Sequence, residues 1–382
     1  MEANNKPVVL IVENGFAFTG AFKAALQVVE DLQGDFNFIF VIPRKSKQAS
    51  ILEEKGINYY SLPFVELRFK ARNIILYLPM LIMNSISLMQ IIRRERVKLI
   101  HANDLYNLAV LLPKIIYPKL KLITYVRLLP GYIPTYVYKW MLLLHAKTAD
   151  AVVVVSKAVE KTINIPTAVV IYDRPPNKEF FPVHYNSVNK DGCISFIYLA
   201  NYIEGKGQNY AVEAFIEAIK EIDNLCMVMA GSEMGIDKNI LYKEKLKERI
   251  AKVGLNKKVI FKDFIQSPEE ELKKHQILLN FSDSESFSFT CLEASYYGLP
   301  VIATNSGGPS EIVEHNATGL IVKKADIKEM TKAIVLLAKD EQKRIQFSER
   351  ARQLVRDKFS YKQTSGKVYQ LYTKLLAKSN LE

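Results

Sequence analysis

Residues 284–300 read S-E-S-F-S-F-T-C-L-E-A-S-Y-Y-G-L-P, and the flanking residues set their context. Residues 276–281, Q-I-L-L-N-F, form a short apolar run with strand character, and residues 282–286 are all small or acidic, as a loop should be. A helix is expected from about Thr290, with Leu292 and Tyr296 one turn apart on one face, ending at Gly298-Leu299-Pro300. Residues 301–303 then read as the next strand. Strand, loop, helix and strand in that order make a parallel α/β unit. In such units ligands sit just outside the carboxyl ends of the strands, where the following helix offers N–H groups to anions. Two glutamates lie in the stretch, Glu285 in the loop and Glu293 one turn into the helix, so both are candidates for one crevice. A carboxylate accepts two hydroxyls at once, which suits the vicinal diols of a sugar or a ribose.

The same alternation extends through the chain. Strands are expected at residues 8–13, 36–42, 99–102, 122–126, 151–155 and 168–171, and again at 194–199, 226–230, 259–261, 277–281 and 301–303, with helix-like runs between them. That pattern predicts parallel sheets covered on both faces. Residues 172–192 lack periodicity and are rich in Pro, Asn and charge, which marks a linker. A chain of 382 residues is long enough for two cores. The expected division is a first domain over 1–172, a linker over 173–191 and a second domain over 192–360, with a helical end over roughly 326–378.

Over residues 280–313 the elements S-x-x-E-S-F, E-A, G-x-P-V-I-A and G-G-P-x-E follow one another in order. Together they resemble the donor-site signature of the retaining family-4 glycosyltransferases of GT-B fold. Without those flanks the two glutamates would read as a solvated loop acid and a helix-surface acid. The resemblance implies an α/β GT-B architecture: two Rossmann-like doubly wound domains facing each other across a cleft, with a last helix, about 361–382, crossing back to the first. It implies an acceptor-binding first domain and a second domain that binds a nucleotide sugar. The implied reaction moves a sugar with retention from a nucleoside diphosphate sugar, UDP-linked or GDP-linked, to a glycan or lipid-linked glycan in cell-surface polysaccharide biosynthesis. In this reading Glu285 positions the donor sugar hydroxyls, helped by Ser286, Phe287, Ser288 and Phe289 at the helix N-terminus, and Glu293 holds the ribose. No cofactor and no metal are expected, since the chain shows no Asp-x-Asp motif and the fold generally binds its donor without one.

Other positions carry parts of the same resemblance. Lys206 lies in N-Y-I-E-G-K-G-Q, residues 201–208, after a strand and before a helix, where Gly205 and Gly207 permit close backbone approach. It matches the family's phosphate-binding lysine, whereas Asn201 stands where many relatives carry an arginine. Gly20, after Thr19, corresponds to the second glycine of a Gly-Gly turn beside the donor phosphates. His101, in L-I-H-A-N-D, falls where the family often has histidine, and equally fits a histidine that supports a neighbouring loop. In T-Y-V-R-L-L-P-G, residues 124–131, Tyr125 and Arg127 stand where relatives place a histidine close to the sugar. Arg127 suits either a phosphate or a structural carboxylate. Lys206, Glu285, Arg127 and His101 are therefore the candidates for catalysis, and Gly20 and Asn201 join the donor-binding set.

Composition narrows the class further. Apolar content is 49% and charged content 24%, ordinary for a soluble globular protein. The first residues run straight into a strand-like segment rather than a secretory signal. The three cysteines are widely spaced and lack metal-ligand spacing, which fits free thiols in a reducing cytoplasm. Cys291 reads as a small buried hydrophobe. Net charge is +12, of which residues 1–172, with 21 Lys and Arg against 12 Asp and Glu, carry +9. An anionic partner follows, either a phosphorylated substrate or an acidic membrane surface, while no nucleic-acid module is present. The uncharged stretch 73–92, followed by Arg93-Arg94-Glu95-Arg96, reads as a domain helix or a monotopic one rather than a span. The expected location is cytoplasmic, peripheral on the inner face of the cytoplasmic membrane. Competing readings are a nucleotide-sugar epimerase, a synthase with a soluble acceptor, and a non-catalytic nucleotide-sugar-binding scaffold. A dehydrogenase is disfavoured because no G-x-G-x-x-G follows the first strand.

Overall fold

A computed structural model describes residues 6–65, 71–131, 133–177, 192–265 and 267–379. The chain divides into two compact units, Met1–Arg174 together with Tyr361–Glu382, and Pro175–Ser360.

The first unit alternates strands and helices in the order β1 Val8–Val12, α1 Gly20–Leu32, β2 Asn37–Pro43, α2 Gln48–Glu54, β3 Tyr59–Leu62, α3 Ala71–Arg94, β4 Leu99–Ala102, α4 Leu111–Ile116, β5 Lys121–Val126, α5 Thr135–Thr148, β6 Ala151–Val154, α6 Lys157–Ile163 and β7 Val169–Val170. Its sheet runs β3-β2-β1-β4-β5-β6-β7, with every described pairing parallel. The inner strands are continuous apolar runs, V-V-L-I-V in β1 and A-V-V-V in β6, because helices cover both of their faces. Edge strand β3, Y-Y-S-L, is only partly buried, and its weaker apolar signal is why the sequence pattern does not reveal it.

The second unit repeats the plan with β8 Ile194–Leu199, α7 Gln208–Ile219, β9 Leu225–Ala230, α8 Asp237–Lys252, β10 Val259–Lys262, α9 Glu269–Leu272, β11 Ile277–Asn280, α10 Phe289–Tyr296, β12 Val301–Thr304, α11 Pro309–Ile312, β13 Gly319–Val322, α12 Ile327–Lys339 and α13 Glu341–Lys358. Its sheet runs β10-β9-β8-β11-β12-β13, again parallel. Strand β13 is likewise hidden in the sequence pattern, because G-L-I-V is short and begins with a glycine.

The last helix, α14 Ser365–Ser379, packs on α1 and β5 of the first unit. Three contacts fix it there. The Tyr372 hydroxyl meets His101 Nδ1 at 2.6 Å, Phe36 lies edge-on to Tyr372 at 5.4 Å, and Ser365 hydrogen-bonds Asp31. Most of the stretch read as a linker, 178–191, lies outside the described residues. Its first residues are built into the first unit: Asp173 pairs with Arg127, and Arg174 pairs with Asp31 at 2.7 Å and Glu30 at 3.1 Å. Charge that looks like linker solubility in the sequence is here buried ion pairing.

The cysteine expectation needs correction. Cys193 and Cys226 are joined in a disulfide across neighbouring strands β8 and β9, with Cα atoms 6.2 Å apart. Their separation of 33 residues gives no spacing signal, since a βαβ crossover brings them together. Cys291 is free and buried, and burial pushes its thiol up to about 12, so it is inert at neutral pH.

Gly207 has φ +78°, and a Cβ there would stand 2.0 Å from the Phe281 carbonyl oxygen. Gly254 has φ +72° with open space around it. Gly207→Ala is therefore expected to lower stability by about 2 kcal/mol or more, against about 1 kcal/mol for Gly254→Ala. Denaturant melts of the two variants check this, and equal losses would remove the steric argument.

Candidate functional site

In the second unit the strand order reverses between β8 and β11, and the loops leaving these two strands lie side by side. Such a switch point opens a crevice at the carboxyl edge of the sheet. The loops are stitched together by their backbones. The Asp283 N–H donates to the Gly205 carbonyl at 2.8 Å. The Tyr198 hydroxyl accepts from the Phe281 N–H at 2.8 Å and donates to the Lys206 carbonyl. These contacts bring the Lys206 ammonium to 2.8 Å from Glu285 Oε2, with the side chains 25% and 18% exposed. A cation and a carboxylate thus meet at the open end of two strands.

Glu285 is held from its other side as well. Its N–H donates to the Ser306 carbonyl at 3.0 Å and its carbonyl accepts from the Gly308 N–H at 2.8 Å, an isolated parallel bridge to Gly307. A Cβ at Gly308 would fall 2.3 Å from Phe287 Cα, which gives a physical reason for G-G-P at this point in the chain.

Helix α10 begins at Phe289, one residue before the expected start. Its N-cap, Ser288, sits at φ +88°, ψ +85°, a strained conformation for a residue with a side chain. The Ser288 hydroxyl accepts from Asn280 Nδ2 at 3.1 Å and from the Cys291 N–H at 3.4 Å. Phe287 is buried, edge-on to Phe289 and Phe359 at 5.9 Å each. The side chains of Phe287 and Ser288 are thus committed to the fold, while Ser286 and Phe289 are partly exposed. Glu293 is 3% exposed, deeper than Glu285. The Asn201 side chain accepts from the Ser232 N–H at 3.2 Å, tying the β8 loop to the β9 loop.

The candidates of the first unit are placed differently. Gly20 is exposed at the start of α1, behind the cap made by Thr19, whose hydroxyl accepts from the Phe22 N–H at 3.2 Å. His101 is fully buried and stacks on Tyr125 with ring centres 4.3 Å apart; burial drops its pKa to about 3, so it stays neutral. It is packed between the Tyr125 ring and the Tyr372 hydroxyl, with no described hydrogen-bond partner on Nε2. Arg127 is buried too, with Nη1 donating to both Asp173 oxygens at 2.9 and 3.0 Å, Nε donating to Asn103 Oδ1 at 3.1 Å and the guanidinium over the Tyr125 ring. Of the two roles open to it, Arg127 takes the structural one.

Around Arg127 lies a cluster that the motif reading missed. Glu13, Asn103 and Asp104, at the ends of β1 and β4, are all buried. Glu13 accepts from the Gly15 N–H at 2.6 Å and from Asn103 Nδ2 at 2.5 Å, and its pKa is raised by burial. Asp104 is raised to about 7 by burial, with the Leu105 N–H, 2.6 Å away, and Arg127 opposing. A polar residue directly after an apolar strand is the signal that finds this group. No group of residues able to hold a metal occurs among the described residues.

Residues 184–354 match the family model described as glycosyl transferases group 1. The match takes in somewhat less than half of the chain. The alpha-1,3/1,6-mannosyltransferase ALG2 of Dictyostelium discoideum is 31% identical over 200 residues, covering 47% of this chain and 46% of that protein. The N-acetyl-alpha-D-glucosaminyl L-malate synthase of Bacillus anthracis is 26% identical over 195 residues, covering 50% and 49%. The chain thus spans about half the length of the curated relatives it matches. Among solved structures, Anabaena Alr3699/HepE in complex with UDP-glucose superposes with a TM-score of 0.82 at 16% identity, over 96% of this chain and 99% of that one. Sucrose-phosphate synthase from Thermosynechococcus elongatus gives 0.80 at 16%, over 97% and 100%. With these likenesses the fold is GT-B, as the resemblance over residues 280–313 implied.

The raised pKa of Asp104 gives a pH test. Its carboxyl holds a proton up to about pH 7 when folded and loses it near pH 4 when unfolded, so its contribution to stability falls as pH rises through that window. Asp104→Asn is expected to gain stability relative to wild type between about pH 4 and pH 7 and to run parallel to it below. Paired thermal melts across that range check the sign, and a constant offset would remove the assignment.

Proposed function

We propose that the chain transfers a glycosyl group, with retention, from a nucleoside diphosphate sugar to a glycan or lipid-linked glycan acceptor. Lys206 facing Glu285 at the β8/β11 switch point carries this reading. Lys206 neutralises the departing diphosphate, where charge develops in the transition state, and Glu285 orients the donor sugar through its hydroxyls. Glu293, more deeply placed on α10, holds the ribose. No metal is required, because the ammonium and the helix start supply the positive field. UDP and GDP remain the candidate nucleotides, supported by the UDP-glucose in the HepE complex and by the names of GDP-mannose-dependent relatives from Mycobacterium tuberculosis. Lipopolysaccharide core mannosyltransferases among the relatives support a cell-surface glycan as product, made where the enzyme rests on a membrane surface.

A thermal-shift screen of UDP-, GDP- and ADP-sugars, followed by turnover with the donor that stabilises, tests the proposal. A ligand at 100 times its dissociation constant adds about 2.7 kcal/mol of stability. Glu285→Gln and Glu293→Gln are expected to fold and to lose about tenfold or more in turnover, the cost of one charged hydrogen bond of roughly 1.5 to 3 kcal/mol. Stabilisation without turnover or donor hydrolysis would point to a binding scaffold, and unchanged turnover in both variants would defeat the assignment.

The ion pair adds a sharper expectation. Without donor, Lys206 is committed to Glu285, so a bare nucleoside diphosphate must draw the ammonium away beside a like-charged carboxylate. Glu285→Gln is expected to bind the bare diphosphate about fivefold more tightly while turning over more slowly, and Lys206→Ala to lose both. The fivefold figure reflects the interaction of about 1 kcal/mol between unit charges near 4 Å in water. Titration calorimetry with UDP and GDP reads the change.

A further inference from the structure

Three helices of the first unit leave large apolar side chains uncovered. On α3, Leu78, Ile82 and Ile86 recur at every fourth residue and are 62%, 48% and 46% exposed. Asn84, Ser85, Leu88 and Ile91 of the same helix are buried, and the Ser85 hydroxyl donates to the Ala109 carbonyl at 3.0 Å, so the exposed stripe faces outward. Ile115 and Ile116 of α4 are exposed, as are Tyr136, Trp140 and Leu143 on one stripe of α5. Helix α4 packs against both α3 and α5, which makes the three sets neighbours. Surfaces of this kind on soluble proteins mark interaction sites.

Charge identifies the occupant. Among the described residues of 71–148 every exposed charged side chain is basic, whereas Glu95 is half-buried, Asp104 is buried, and Lys114 and Arg127 are paired with Asp150 and Asp173. Arg93 and Arg94 end α3, Lys119 follows α4, and Lys139 and Lys147 flank Trp140 on the exposed side of α5. Lysine is depleted at protein interfaces, whereas apolar side chains beside Trp, Tyr and lysine match the boundary between acyl chains and anionic head groups. No helix of the described residues is long and apolar enough to cross a membrane.

We infer that the α3–α4–α5 face seats on a membrane surface carrying anionic lipid. The apolar stripe enters the acyl boundary, Tyr136 and Trp140 lie at head-group level, and the basic residues meet lipid phosphates. Glycosyl transfer is not a premise of this inference; where the acceptor is lipid-linked, the face holds the enzyme beside it.

Trp140 is the only tryptophan of the chain, so intrinsic fluorescence reports this face directly. With vesicles of phosphatidylcholine and phosphatidylglycerol at low salt, the protein should float with the vesicles. Its emission should shift to the blue and be quenched by brominated acyl chains. Phosphatidylcholine alone, or added salt, should weaken all three. Ile82→Glu with Ile86→Glu should abolish flotation at an unchanged melting temperature, since both sites are exposed. Lys139→Glu with Lys147→Glu should weaken it by about tenfold or more. Absence of binding to anionic vesicles at low salt overturns the inference, as does wild-type flotation of the Ile82/Ile86 variant. A blue shift that grows with protein concentration in the absence of vesicles also overturns it, assigning the face to self-association. Vesicle binding in a protein that no nucleotide sugar stabilises would leave this face in place and remove the donor reading alone.

Discussion

The close approach of two backbones at Gly207 and Phe281 governs the geometry of the second unit. Where a Cβ would come within 2.0 Å of a carbonyl oxygen, only glycine fits, and its positive φ turns the chain into α7. Because the two loops touch at the backbone, the hydrogen bonds from Asp283 to Gly205 and through the Tyr198 hydroxyl can form. Their consequence is the placement of Lys206 against Glu285, two charges brought to one spot by main-chain contacts rather than by their own attraction. Ion pairs that keep some exposure add little stability of themselves. Their opposite charges remain available to a ligand that can satisfy both.

The carboxyl edge of the first sheet obeys the same topological rule with the opposite result. Glu13, Asn103, Asp104 and Arg127 follow directly on β1, β4 and β5, but they are buried: Asn103 bonds both Glu13 and Arg127, Asp173 pairs with Arg127, and Asp104 accepts from the Leu105 N–H. Burying such charges costs several kcal/mol per ion unless partners compensate, and removing one partner strands the other. The raised pKa values of Glu13 and Asp104 record that desolvation. A switch-point residue is therefore not a ligand-binding residue by position alone. Lys206 and Glu285 keep an access to solvent that Arg127 and His101 lack, a difference that no spacing in the sequence reports.

Much of the fold was legible because parallel strands buried on both faces leave uninterrupted apolar runs. β4 and β8 were bounded correctly to the residue, and the strands missed, β3 and β13, are a half-exposed edge and a glycine-led run. At the site, residue types and order placed Lys206 in the loop after β8, Glu285 in the loop after β11 and the start of α10 within one residue, since loop, cap and glycine chemistry is local. Long-range pairing was not legible. The Cys193–Cys226 bond, the Arg127–Asp173 pair and the seat of Tyr372 against His101 join residues 33, 46 and 271 positions apart, and each depends on a crossover or a returning helix. The outward apolar face was half visible. The uncharged stretch 73–92 marks α3, but which of its residues face outward, and the continuation onto α4 and α5, follow only from how those helices pack.

Ser288 shows how the loop after β11 holds a conformation that its residue type disfavours. A non-glycine residue at φ +88° costs on the order of 1 to 3 kcal/mol, and a glycine would remove that strain. Glycine would also remove the hydroxyl that bonds Asn280 and caps the Cys291 N–H, contacts of the kind that contribute about 1 kcal/mol each. The two terms are of similar size, so the serine is not explained by stability alone. Its backbone turn buries Phe287 between Phe289 and Phe359, while Glu285, three residues earlier, is fixed by its bridge to Gly307. Anchored at both ends, the segment 285–288 has little freedom to move the carboxylate. Strain held at Ser288 is thus the local cost of presenting Glu285 in one orientation.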